Sequence, residues 1–503
     1  MIQTSNSVDI ERFRCAVARS LGLHFEDAKL GFLADVLRRR RDAVGQSMEV
    51  YLARLERENL PDEIGALAQE LTVPETYFFR NSDQYRALAD IALPDRLAAQ
   101  SGAKRLRILS AGCASGEEPY SLAILIRETV DPSWDVSILG VDVNPAMVRK
   151  AARARYSPWA LRETPSQIQQ RWFSPDGREF VLDEALRATV RFDARNLVQD
   201  DPQLWQPDTY DIVFFRNVLM YFTHEIAQTV IGRISRALTP GGYLFLGHAE
   251  TLRGLSADFH LQHTHDTFYY QRRDRLESSR SFTTSAPLRG LVPTVVAAVE
   301  GADTWIEVIR RATERIQTLT RPARPHSGSP PPAAIPTWDL GVAHQLLREE
   351  RFTEALEMMQ GLPPESERDP DVLLLRAALQ THRGRLTEAE EACRRLLDVD
   401  ELSAGAHYLL ALCREGTGDR TSAVSHDQVA IYLDPGFAMP HLHLGLLARR
   451  TGDRATAQRE LGHALLLLQR EDSSRLLLFG GGFGRETLVA LCRTEWLSCG
   501  GKP

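Results

Sequence analysis

Small residues recur at a fixed interval through the last third of this 503-residue chain. Gly384, Gly418 and Gly452 lie 34 residues apart; Ala355, Ala389, Ala423 and Ala457 keep the interval, as do Ala343, Ala377, Ala411 and Gly445. Few folds have that period. Each unit is a helix pair too small to bury its own apolar face, so consecutive pairs must stack. Small side chains at fixed places let the paired helices approach closely. The pattern predicts about four repeats over residues 337–470, an all-α solenoid with a concave, peptide-binding face. Pro435 falls where the third pair should end. The segment 471–503, with LLLFGGGFGRETLVALC, reads as a glycine loop and a capping helix.

A different pattern governs residues 91–275. Apolar runs at 106–110, 136–142, 189–193, 210–215, 242–247 and 266–271 alternate with helical stretches, which predicts a doubly wound, Rossmann-like α/β sheet. Its first strand enters SAGCASGEEPYS, where small residues end in Glu117 and Glu118 and a helix begins. Glycine lets backbone approach a ligand, and a helix start offers unpaired N–H groups. The spacing is not that of a dinucleotide or phosphate loop, and two carboxylates would repel a pyrophosphate. They suit an ammonium or sulfonium cation, which points to S-adenosylmethionine rather than NAD or ATP.

Ligands of such sheets bind at the carboxyl ends of the strands. There the sequence places Gly112 after the first strand and Asp142 after the second, where a carboxylate can take two ribose hydroxyls. Asp193 and Asn196 follow the third strand, at the expected adenine edge. Arg216 and Asn217 end the strongly apolar fourth strand, with Tyr221 just beyond. The TPGG at 239–242 reads as a helix stop. Residues 155–187 form a small β insertion with a hairpin turn at Asp176-Gly177. His263 and His265 would share a strand face, but without a third ligand no metal site is predicted.

Residues 1–90 read as a helical bundle, with Leu30, Leu33, Val36 and Leu37 on one face, Ser47 as an N-cap and Pro61 between two helices. Arg38 to Arg41 cover a whole helical turn and suggest a basic docking patch for an acidic helical partner. In VPETYFFRN, Thr76 and Arg80 would share a face if the stretch is helical, and Arg80 would be a cation held by aromatics beside the pocket. Residues 276–336 form a proline-rich linker, with a helix proposed within 292–319. A net charge of −7 gives no general drive toward nucleic acid. No apolar run reaches membrane-span length, no signal peptide is evident, and six scattered cysteines without a CxxC pair suit a reduced, cytoplasmic protein.

TYFFR, GCASGEEPYS, GVDVN, ARNL, FFRNVLMYF and PGGYLFLGHAE, in this order, resemble the CheR family of chemoreceptor glutamate O-methyltransferases over about residues 8–273. The C-terminal repeats resemble tetratricopeptide repeats, which some CheR proteins carry. The resemblance implies cofactor contacts from Thr76, Arg80, Glu117, Asp142, Asn196 with Leu197, and Asn217 with Val218, with Glu117 near the methionine ammonium. It implies Tyr221 in the active site, with S-adenosyl-L-homocysteine as product. Pro74 stands where some members have Asn. The 155–187 insertion matches a β-subdomain that in some members grips a receptor C-terminal peptide. The expected reaction is methyl transfer to receptor glutamates, with Arg80 and Tyr221 placing substrate or cofactor. The receptor's cytoplasmic helices would dock near Arg38–Arg41, and the repeats would bind another protein. A glutamate is already an anionic nucleophile at neutral pH, so no general base is needed. The competing readings are a cofactor-binding signalling adaptor without transfer activity and a methyltransferase with a different acceptor.

Overall fold

The computed structural model describes residues 2–57, 60–72, 75–274, 368–480 and 483–501. The linker 276–336, its proposed helix, Pro74 and the first repeat with Ala343 and Ala355 lie outside the described residues. The chain divides into two units, separated within the undescribed stretch after residue 274.

The first unit opens with α1 (Ile2–Leu21), α2 (Leu30–Val44), α3 (Met48–Arg57) and α4 (Pro61–Leu71). Phe13, Val17, Leu33, Leu37, Leu52 and Leu67 form their common core, each fully buried or nearly so. Ser47 Oγ accepts from Val50 N at 3.4 Å, and Pro61 starts α4, where its missing N–H costs nothing. The four arginines do not form an unbalanced positive patch. Arg38 pairs with Asp35, Arg39 with Glu70 at 2.8 Å, Arg40 with Glu63 at 2.7 Å and Arg41 with Asp42 at 2.5 Å.

Residues 75–81 are not helical: Phe79 and Asn81 take φ of 57° and 61°, which breaks the chain direction before α5 (Ser82–Ala87). A π turn, Leu88–Ala92, joins α5 to α6 (Leu93–Ala99). Phe78 and Phe79 are buried, as the aromatic run implied.

The sheet region then runs β1 (Arg105–Ala111), α7 (Glu117–Thr129), β2 (Asp135–Asp142), α8 (Pro145–Arg153), β3 (Arg155–Tyr156), α9 (Ser166–Trp172), β4 (Phe173–Asp176), β5 (Glu179–Leu182), α10 (Glu184–Arg187), β6 (Val190–Ala194), β7 (Tyr210–Phe215), α11 (His224–Ala237), β8 (Leu238–Leu246), β9 (Phe259–Thr264) and β10 (Thr267–Arg272). Seven strands order as β6-β2-β1-β7-β8-β10-β9, with β10 antiparallel to both neighbours. Strand order reverses between β1 and β7, which opens a crevice at their carboxyl ends. The insertion forms its own sheet, β3-β5-β4, and Gly177 turns its hairpin at φ 64°. Three sequence expectations need correction. TPGG lies inside β8, whose pairing with β7 shifts register there, instead of preceding the strand. The last strand is a hairpin, because FHLQHT pairs as β9 despite its polar face. His265 sits in that hairpin's turn at φ 54°, bonded to Asp90 at 2.9 Å, while His263 stacks on Phe268, so the two share no strand face.

In the second unit three helix pairs follow one another: α12 (Pro370–His382) with α13 (Leu386–Leu397), α14 (Ala404–Gly416) with α15 (Arg420–Leu433), and α16 (Ala438–Thr451) with α17 (Arg454–Leu468). They form a tetratricopeptide-type array. Gly384, Gly418 and Gly452 sit between the helices of each pair at φ 68°, 86° and 83°. Ala377, Ala389, Ala411, Ala423 and Ala457 are fully buried, and a Cβ on Gly445 would meet Leu461 at 2.6 Å. Two helices close the unit, α18 (Ser473–Phe479) and α19 (Arg485–Ser498). Among the described residues no helix is long and apolar enough to cross a membrane.

Candidate active site

A cavity opens at the β1/β7 crevice. Its walls include Gly112, Asp142, Asn196, Leu197, Asn217 and Val218 from the strand ends. Thr76 and Arg80 line it from the segment before α5, and Tyr221 from the turn after β7. The carboxyl ends of four strands and one flanking segment thus converge on one volume.

Glu117 does not line it. Helix residues step by about 100°, so two neighbours cannot face the same way. Glu118 lines the cavity, its Oε2 3.2 Å from Arg216 Nη1 and its Oε1 accepting from Ser110 Oγ at 2.7 Å. Glu117 is buried and accepts from Ser115 Oγ at 2.8 Å and 3.0 Å. Burial pushes both carboxyls up from the ordinary range; Arg216 opposes this at Glu118, and Ser115 at Glu117. Asp193 is also outside the cavity lining, paired with Arg191 at 2.8 Å and Arg195 at 3.5 Å.

Asp142 accepts from Ala114 N at 2.9 Å and from Asn144 N at 2.8 Å. Burial raises its carboxyl, and those two amides pull it back toward the ionised form. Each oxygen keeps a lone pair for a ligand hydroxyl. Asn196 is tied to backbone: its Nδ2 donates to Ser20 O at 2.7 Å and its Oδ1 accepts from Val198 N at 3.1 Å.

Gly112 holds φ 81°, and a Cβ there would lie 2.3 Å from Val218 Cγ2. Only glycine lets the turn after β1 and the loop after β7 close on each other. That loop is held by Glu250, which the motif reading left without a role. Its carboxylate accepts from Asn217 N at 2.7 Å, Gly247 N at 2.7 Å and Met220 N at 3.3 Å. Asn217 itself sits at φ 58°, which asparagine tolerates better than most residues. Arg216 Nη2 donates to Arg80 O at 2.6 Å and Asn81 Oδ1 at 2.9 Å, linking β7 to the segment before α5. The Arg80 guanidinium donates to Glu75 O at 3.1 Å and lies 5.7 Å from the Tyr77 ring centroid.

The helical bundle also reaches the cavity, which its sequence did not announce. Leu21, Leu23 and Leu71 add apolar wall, and His24 N donates to Tyr221 O at 2.7 Å. Carboxylates for a cation and a hydroxyl pair, between apolar walls, fit a cationic nucleoside such as S-adenosylmethionine.

Residues 74–268 match the family described as the CheR methyltransferase, SAM binding domain. The probable biofilm formation methyltransferase WspC of Pseudomonas putida is 30% identical over 451 residues, covering 89% of this chain and 96% of that protein. The chain belongs to the CheR methyltransferase family. Another relative, chemotaxis protein methyltransferase 2 of Vibrio cholerae, is 32% identical over 273 residues, covering 52% of this chain and 92% of its own. At 89% of this chain, the WspC match is too long to be confined to the first unit and reaches into the second. This CheR-family chain is an S-adenosylmethionine-dependent methyltransferase, and most of the cavity's walls fall within the matched residues 74–268.

Proposed function

We propose that this chain methylates glutamate side chains on the cytoplasmic helices of chemoreceptors, from the cytoplasm, with its repeats recruiting a further protein. The carrying observation is the cavity at the β1/β7 crevice, where Glu118, Asp142, Arg80 and Arg216 converge and Tyr221 stands partly exposed at the wall. The names of the relatives, a biofilm formation methyltransferase and a chemotaxis methyltransferase, support this acceptor class.

S-adenosylmethionine supplies an activated methyl group when bound. Asp142 would hold the ribose hydroxyls, and Glu118, oriented by Arg216 and Ser110, would face the amino-acid end in place of Glu117. Thr76, Gly112, Asn196, Leu197, Asn217 and Val218 would shape the remaining contacts. Leu21, Leu23 and Leu71 exclude water from one side, which strengthens each polar contact. Arg80 and Tyr221 would place the acceptor carboxylate. That carboxylate has a reference pKa near about 4.3, so it arrives ionised and the protein's task is alignment. Receptor helices would dock along α2, where Arg38 and Arg39 side chains remain 60% and 55% exposed.

The deciding experiment is transfer of labelled methyl from S-adenosylmethionine to receptor-enriched membranes by the full chain. Base-labile label on a receptor band is expected. Cofactor binding with no such label would overturn the acceptor and favour the adaptor reading or another substrate.

A further inference from the structure

The surface made by the first helices of the repeat pairs is not empty: the chain's own α18 lies against it. Phe479 is 2% exposed, and its ring sits 5.8 Å from Tyr408 and 5.1 Å from Phe437, centroid to centroid. Its tip enters a notch where Gly405 has no side chain; a Cβ there would meet Phe479 Cζ at 2.8 Å and Leu374 Cδ1 at 3.1 Å. Glycine within a helix costs stability, and the equivalent places one repeat away hold Asp371 and Met439, so Gly405 departs from its own repeat to make room. His382 Nε2 donates to Leu478 O at 2.8 Å, and Tyr408 Oη donates to Phe479 O at 3.4 Å. Four residues before the aromatic, Arg475 pairs with Asp434 at 2.7 Å and lies 3.9 Å over the Phe437 ring. The groups that hold α18 come from α12, from α14 and from the turn before α16, the first helices of successive pairs.

A seven-residue helix has no stability of its own, so α18 is helical because this surface makes it so. The next helix is anchored elsewhere: Cys492 Sγ donates to Leu461 O at 3.1 Å, and Trp496 packs beside Gly462 on α17. Releasing α18 therefore need not release the end of the chain.

We infer that this surface is a binding site for a partner's short helical segment with a basic residue four positions before a bulky aromatic, and that residues 473–480 occupy it in competition with that partner. The inference rests on the reading of the repeats as a protein-binding module. It deepens that reading by naming the ligand chemistry and the internal competitor.

The test uses the full chain and a fluorescent synthetic peptide of residues 470–480 carrying Phe479→Trp, which mass distinguishes from the protein's own segment. The wild-type chain should bind it weakly, since most of the population is closed. Phe479→Ala should bind it on the order of 10- to 100-fold more tightly. Gly405→Leu should free the internal segment yet fail to bind the peptide, because the notch is filled. In both variants amide exchange across 473–480 should accelerate while the far-ultraviolet circular dichroism is kept. Unchanged exchange would overturn the competition, and freed amides in Phe479→Ala without peptide capture would overturn the binding site, leaving the reading of the repeats as a protein-binding module to be decided by a different ligand. Should Phe479→Ala lose helix content, the wild-type chain decides: excess peptide must accelerate exchange of its own 473–480, and no acceleration overturns the proposal. Methyl transfer is not read in this experiment, so its failure leaves the catalytic reading standing.

Discussion

Glu118 reaches the cavity beside Arg216, and Glu117 turns into the protein to meet Ser115. Removing one charge of a buried pair strands the other, so Glu118→Gln should weaken S-adenosylmethionine binding by about tenfold or more in isothermal titration. Glu117→Gln should leave that affinity within about twofold and act on stability instead, because it changes a hydrogen bond away from the ligand. Equal losses in affinity would sink the distinction. Gly112→Val should abolish cofactor binding, since its first side-chain atom already meets Val218. The strand-end residues of the site were legible because polar groups that end apolar strands stand out. Which of two adjacent glutamates faces inward was not, since the answer depends on Gly116 setting the phase of α7 at φ 91°. Glu250 was equally hidden: its partners are backbone amides, which leave no mark in a side-chain pattern.

Elements carry the next set of consequences. The loop from Arg216 to Tyr221 has its shape imposed by one carboxylate from beyond β8. Glu250→Gln replaces one acceptor oxygen with a donor facing N–H groups, at a cost of about 1–3 kcal/mol. It should lower kcat/KM for methyl transfer, with Asn217 and Val218 loosened; unchanged kinetics would show that the loop holds its shape without it. Gly418→Ala should destabilise the repeat unit by about 1 kcal/mol, because φ 86° is hostile to any Cβ, measured as a shift in denaturation midpoint. The repeat period was readable because Gly384, Gly418 and Gly452 each answer one backbone need. Strand β9 was not, because its polar residues are ordered by pairing with β10 and not by an apolar face. The stretch around Thr76 to Arg80 hid its bend for a related reason, since Phe79 adopts its positive φ under the pull of Ser121 Oγ on its N–H and the packing of its ring.

On the scale of the whole molecule, two units with separate cores should unfold in separable steps, and S-adenosylmethionine should raise only the transition of the first. The second step should depend on alkali. His443 is buried with Nδ1 2.7 Å from Asp427 and Nε2 2.9 Å from Glu415, beside Tyr408 and with Arg450 on Glu415. Burial alone would lower its pKa, but the two carboxylates outweigh it and hold the imidazole protonated to about 9. A raised folded pKa contributes stability that is complete below the unfolded value near 6.5 and is lost as pH climbs through about 9. The repeat unit should therefore weaken between pH 7 and 10, and His443→Gln should flatten that slope; an unchanged slope would place the alkaline loss elsewhere. The paired arginines of α2 bear on something else, the kinetics of encounter. A face whose cations are each matched by Asp35, Glu63, Glu70 or Asp42 projects little field past a Debye length of about 8 Å. If α2 is the docking face proposed above, an acceptor approaching it would not be steered from a distance; it would be recognised only on touching, when a guanidinium exchanges one carboxylate for another. On that proposal arrival would depend on local concentration of the acceptor, so a tether that raises it would govern the rate of methylation more than the charge of the docking face would.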